Sequence, residues 1–245
     1  MKKYISTLTL CIALALTGCG SDDGGGTTTP TDDGDDVGPE EVTATYRLSI
    51  TTNFTADTHP TDFPENAMFG PLFGVAHSNA TVLFRQGQLS SDGFIAYVGQ
   101  GDTGALSTEL SPADDGDTGG NNTVVNITTA SAIGASTTTS IDVTIGQSTR
   151  FISFAAALAP SPDWFIGVDS FDILGSDGLL IENSGTIELF PLDAGFNSGI
   201  TYLDEGGNES SGVAPIVDDP FLINDPVSGI DILNPLATLT ITRIN

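Results

Sequence analysis

From residue 43 to residue 245 the apolar positions fall in short runs or in strict alternation, separated by Gly, Asp, Asn and Pro. Residues 46–50, 81–85, 124–128, 141–145, 150–157, 164–174, 186–190 and 236–244 are all of strand length. Thr238-Leu239-Thr240-Ile241-Thr242 alternates with a period of two, which puts Leu239 and Ile241 on one face and the threonines on the other. Such a strand has one buried face and one wet face. About eight of these runs, with few segments of helical period, predict an all-β antiparallel sandwich of two sheets. In residues 93–110 strand and helix readings compete. There is no strict internal repeat.

Ahead of residue 43 the pattern changes. Lys2 and Lys3 precede an apolar run over residues 4–16 that is too short and wrongly flanked for a permanent membrane span, so residues 1–18 read as a secretory signal. The run ends in Leu16-Thr17-Gly18-Cys19, which resembles the lipobox of bacterial lipoproteins. That resemblance implies diacylglycerol on the Cys19 thiol, cleavage just before it and acylation of the new amino terminus. Each buried methylene then contributes about 0.8 kcal/mol to membrane anchoring. Gly20, where Asp would imply retention at the inner membrane, points to the outer membrane. The alternative is a plain secretory cleavage site with a leftover thiol. Cys11 lies in the removed segment, so the mature chain has no second cysteine for a disulfide or a Cys-based metal site. Residues 19–42 follow as a tether: positions 20–42 hold eight acids, runs of glycine and threonine, and almost nothing apolar. Such a segment is expected to be disordered, spanning on the order of 25 Å as a flexible coil.

Charge narrows the function classes. Six Lys plus Arg stand against 32 Asp plus Glu, and beyond Lys3 the chain has only arginines. A folded domain without lysine has no phosphate-cradling or Schiff-base lysine, which excludes the nucleotide enzymes that depend on one. A net charge of −26 repels phosphate backbones, so nucleic acid is not expected as a partner. Hydrophobic content of 39% is ordinary for a globular protein, so the acidity does not itself imply disorder. The acidic loop over residues 111–120 lacks the spacing and closing glutamate of an EF-hand.

Three motifs carry a family resemblance. Ala159-Pro160-Ser161-Pro162-Asp163-Trp164-Phe165-Ile166-Gly167-Val168-Asp169-Ser170-Phe171-Asp172 closely resembles the signature of spondin N-terminal, or F-spondin, domains. Glu188-Leu189-Phe190-Pro191-Leu192-Asp193-Ala194-Gly195-Phe196-Asn197-Ser198-Gly199 is similar to that family's Asp-Ala-Gly-Thr-Asp-Ser-Gly segment, and Phe69-Gly70-Pro71-Leu72-Phe73-Gly74-Val75-Ala76-His77-Ser78 resembles its upstream motif. The run over 237–244 is similar to the family's last strand. The resemblance implies a C2-like antiparallel β-sandwich and a calcium site whose ligands correspond to Asp163, Asp193 and Asn197. Asn197 stands where the family has an acid, which keeps an oxygen but removes a charge and implies a weaker site. Calcium takes six to eight hard oxygen ligands, and a turn through Gly195 can bring residues 193 and 197 together. The competing reading is that these three residues cap turns through their own backbone.

Other residues read more plainly. Trp164, the only tryptophan, is expected to anchor the core. Asp169 and Asp172 are outer ligands or solvated strand acids. His59 and His77, without a neighbouring metal-ligand pattern or nucleophile elbow, mark neither zinc nor a serine hydrolase. The expectation is a calcium-binding adhesion module, anchored through Cys19 to a bacterial outer membrane, with an extracellular protein or glycan as partner. Alternatives are a carboxylate-based glycoside hydrolase and a purely structural envelope lipoprotein.

Overall fold

A computed structural model describes residues 43–78, 83–111, 124–146, 149–204, 206–225 and 227–245, with backbone alone for 124–129. Cys19 and the tether lie outside the described residues. The unit that contains the described residues runs from Glu40–Asn245.

One sheet has four strands in the order β6 (Thr138–Ile145), β1 (Ala44–Thr52), β14 (Ala237–Arg243) and β9 (Asn183–Leu189). Its pairs are antiparallel, with Ile50 opposite Leu239 and Leu48 opposite both Ile241 and Ile141. The alternation read in the sequence is therefore the register of the sheet: Tyr46, Leu48, Ile50, Leu239 and Ile241 point inward and are buried.

The second sheet is built on β7 (Phe151–Ala159). On one side lie β8 (Trp164–Asp172), β10 (Leu192–Asp193) and β11 (Ala214–Pro215). On the other lie β2 (Met68–Phe69) and β3 (Leu72–His77), with β5 (Ile133–Gly134) and β4 (Val124–Ala130) beyond them. A separate hairpin joins β12 (Leu222–Asn224) to β13 (Asp231–Leu233). The two sheets close on one apolar core that includes Ile152, Phe154, Ala156, Leu158, Trp164 and Ile166.

The outer face of the second sheet is also covered, which is why β3 and β7 are apolar almost throughout. Phe73, Val75, Ala155 and Phe165 pack there against α1 (Asp92–Gln100) and α2 (Thr103–Leu110) through Phe94, Tyr97, Val98 and Leu106. The competing readings of 93–110 thus resolve to helix. Ser91 caps α1 by accepting from the Phe94 N–H, and Asp102 caps α2 by accepting from Gly104 and Ala105. Phe94, Tyr97 and Val98 then fall on one face at spacings of three and four. Tyr97 keeps its buried hydroxyl satisfied on the carbonyls of Pro71 and Ala155.

One expected strand is corrected. Residues 83–85 form no strand: Leu83 and Phe84 are buried in the cluster beneath the helices, Phe84 lying edge-on to Phe165 at 4.9 Å. Their apolar character serves that layer rather than a ladder. The remaining expected strands are all present, with ends shifted by three residues or fewer; 164–174 and 186–190 correspond to β8 and β9.

His77 is buried beneath the bulged pairing of β7 and β8. Its Nδ1–H donates to the Ser78 carbonyl at 2.7 Å, which leaves Nε2 to accept from the Ser153 hydroxyl at 2.8 Å. Ser153 in turn accepts from the Ser170 N–H at 2.9 Å. Burial lowers the pKa of His77, and of His59, below that of a free imidazole. A depressed folded pKa means stability that is present above the unfolded value of about 6.5 and is lost as pH falls through it. Thermal melts between pH 7.5 and 5 should therefore separate wild type from His77→Gln: the acid-side fall in Tm is shallower in the variant. Parallel curves would show that His77 does not titrate with unfolding.

Candidate metal centre

Asp163 stands at the entry to β8, where Ser161 Oγ accepts from the Asp163 and Trp164 N–H groups at 3.4 and 3.1 Å. The serine closes a local turn and turns Asp163 inward. Pairing of β8 with β10 sets Asp193 opposite Trp164 and Leu192 opposite Phe165. The Ala194 N–H donates to the Asp163 carbonyl at 3.0 Å. Two acids thirty residues apart in the chain thereby become neighbours, close enough for each to act on the other's charge.

Their surroundings differ. Asp163 has no solvent exposure; its Oδ2 accepts from the Asn197 N–H at 2.9 Å, whereas Oδ1 is buried with no hydrogen-bond partner. Burial first, and then the nearby Asp193 charge, push its pKa up to about 7. Asp193 is less enclosed, and its Oδ1 accepts from the Gly195 N–H at 2.6 Å. Burial raises its pKa as well, opposed by hydrogen bonds from Gly195 and the Trp164 side chain and reinforced by the charge of Glu209.

Gly195 makes the turn possible. Its φ is +77°, and a Cβ there would lie 2.3 Å from the Ser211 carbonyl oxygen. The segment after it closes back on itself, with Glu209 N–H donating to the Phe196 carbonyl and Ser211 N–H to the Gly195 carbonyl. Asn197 bridges to Asn208 within this loop, and its Oδ1 accepts from the Gly199 N–H at 2.8 Å.

Asp163 and Asp193 are thus brought together, and Asn197 adjoins them through its backbone while its amide caps the next turn. Asp193 and Asn197 both cap turns; Asp163 does not cap its own. The donor set suits a hard cation: one buried carboxylate oxygen accepts no hydrogen bond, its neighbour is a second carboxylate, and the Asn197 amide oxygen is a hard donor of the kind calcium takes. Among the described residues no three His, Cys, Asp or Glu side chains converge, so such an ion would draw on amide, carbonyl or solvent oxygens for the rest of its shell. Glu209 was not legible as a neighbour of Asp193 because only the return of the loop brings it there. Asp169 and Asp172 lie farther along β8 and form ion pairs with Arg85 and Arg150. Trp164 is buried as expected, and its side chain favours the ionised form of Asp193.

The Spondin_N family model matches residues 44–213. The chain belongs to the spondin N-terminal family. Human spondin-2 is 29% identical over 173 residues, which is 69% of this chain and 50% of the relative. Spondin-1 of Xenopus laevis is 29% identical over 168 residues, covering 65% of this chain and 20% of that protein. The chain therefore spans about half the length of spondin-2 and a fifth of spondin-1. Within the spondin match fall β1 to β10, both helices and the whole Asp163, Asp193 and Asn197 cluster; β14, which completes the first sheet, lies beyond it.

Proposed function

We propose that this spondin-family chain is a calcium-binding adhesion module, displayed on the bacterial outer membrane through a lipid on Cys19. Asp163, Asp193 and Asn197 hold the ion, which stiffens the loop over residues 193–211 at one end of the sandwich. The observation that carries this reading is the buried, partnerless Oδ1 of Asp163 beside a second carboxylate. A buried ionised carboxylate without full compensation is costly, and a bound cation removes that cost. The same burial argues against the hydrolase alternative, because a pair of acids flanking a sugar must both reach the substrate. The partner is an extracellular protein or glycan that meets the calcium-ordered loops.

Calorimetric titration of the full chain tests the site. A ligand that binds only the native state adds RT ln(1 + [L]/Kd), about 1.4 kcal/mol at tenfold over Kd. Calcium should therefore raise Tm in wild type but not in Asp163→Ala or Asp193→Ala. Asn197→Asp should tighten binding by adding a charge. Magnesium controls for screening of net charge, because it keeps its waters and needs near-octahedral geometry. Equal effects of both ions in wild type and variants refute the site. For the anchor, mass spectrometry should find acyl chains on an amino-terminal Cys19, and Cys19→Ser should abolish processing.

A further inference from the structure

Away from the Asp163 cluster, two hollows of about 560 and 420 Å³ meet at Asp62 and Thr201. The first is walled by Phe63 and Tyr202, the second by Asp218 and Asp219. Aliphatic side chains stand at the margins, Ile200 and Leu203 each 75% exposed. Volumes of this size accept small ligands.

The charge of this groove has no internal answer. The chain beyond Lys3 has four cations, and each is committed elsewhere: Arg47 to Asp142, Arg85 to Asp169, Arg150 to Asp172 and Arg243 to Glu182. Among the described residues none hydrogen-bonds the side chains of Asp62, Asp218 or Asp219. A second observation is independent of the acids. Tyr202 is 1% exposed, wedged against Phe54, Trp164 and Phe221 with ring centroids 5.6, 5.3 and 5.5 Å away, and its hydroxyl is buried without a partner. Tyr202 forms part of the groove wall, and the Asp62 charge acts on its phenol. Buried hydroxyls are ordinarily paired. The three carboxylates need donors, and the phenol oxygen can accept one as well.

The carboxylates do not converge as metal ligands, since no three acids or histidines among the described residues are placed to hold an ion. The complementary ligand is instead an extended one with donors spaced along it. Ammonium groups are donors only, and methylene chains between them match Phe63, Tyr202 and the aliphatic margin. We propose that this groove is a binding site for a linear aliphatic polyamine, with one ammonium at Asp62 and Tyr202 and another at Asp218 and Asp219.

Spermidine titrated into the full chain at about 0.15 M salt tests this, because at that ionic strength exposed charges more than about 8 Å apart are screened. One saturable site is expected. Asp62→Asn and the double variant Asp218→Asn/Asp219→Asn should each weaken it by about tenfold or more, as loss of a hydrogen-bonded charge partner does. Asp62 has φ +50°, a conformation that Asn adopts as readily, so the first variant keeps the fold. Tyr202→Phe should weaken binding without loss of stability, there being no hydrogen bond to lose. Glu188→Gln, an exposed acid on β9, removes the same charge and should leave affinity unchanged. Equal weakening by Glu188→Gln, or wild-type affinity in both Asp62→Asn and Tyr202→Phe, overturns the proposal. So does a tetralysine peptide that binds more than about tenfold tighter than spermidine, which would make the groove a protein-docking surface.

Discussion

Asp163→Asn is expected to raise the Tm of the calcium-free protein at pH 8 by about 4–8 °C while abolishing its response to calcium. The two effects have one cause. In wild type at that pH the ionised Asp163 is sealed from solvent, one oxygen has no donor, and Asp193 repels it. Asparagine has nearly the same shape and keeps an oxygen for the Asn197 N–H. It gives up the charge, and the partnerless position becomes an amide N–H beside the Asp193 carboxylate. Relief of a buried charge held beside a second carboxylate, less the cost of an imperfect amide fit, is worth about 2 kcal/mol. For a domain of this size that corresponds to the stated shift in Tm. Since an acid with a raised folded pKa loses stability as pH climbs through that value, the gain should be absent at pH 4. A thermal melt in chelator decides it. A variant that is less stable than wild type would mean that the Asp163 carboxylate is a structural hydrogen-bond acceptor rather than a ligand for a cation.

The sandwich was legible because its strands alternate: the threonine and leucine pattern at 238–242 fixes which face is buried, and the partner strands β1 and β6 obey the same rule. The helical layer was only half legible. An α1 of nine residues makes only about two and a half turns, and both faces of the sheet beneath it are apolar, so period alone does not separate helix from strand. Leu83 and Phe84 misled for the same reason, being apolar on account of a third layer that no local pattern announces. The candidate site divides in the same way. Asp163 and Asp193 were legible through motif resemblance, whereas the partnerless oxygen and the proximity of Glu209 follow from the β8 to β10 register and the loop's return. The groove at Asp62 was illegible, since its walls come from residues 56–63, 200–203 and 218–222, joined only by the fold.

Two glycines allow the geometry of the 193–211 loop to be separated from mere backbone preference. Gly178 has φ +79° with open space where a Cβ would go; Gly195 has φ +77° with the Ser211 carbonyl at 2.3 Å from that point. Gly178→Ala should therefore cost only the left-handed conformation, about 1–2 kcal/mol. Gly195→Ala bears the same conformational cost and must also move backbone on one side of the loop, because a carbonyl cannot swing away as a side-chain tip can. Strain of this kind belongs with the larger single-residue losses, about 3 kcal/mol or more. The displaced carbonyl is the one whose residue also donates to Gly195, so the loop opens where Asp193 accepts from the Gly195 N–H. Calcium affinity should fall with it, whereas Gly178→Ala should bind calcium as wild type does. Chemical denaturation and calcium titration of the two variants side by side read both quantities. If the two substitutions cost the same, the Ser211 contact does not constrain the loop. If Gly195→Ala is strongly destabilised yet its folded form binds calcium normally, the 193–197 turn does not shape the ion's site.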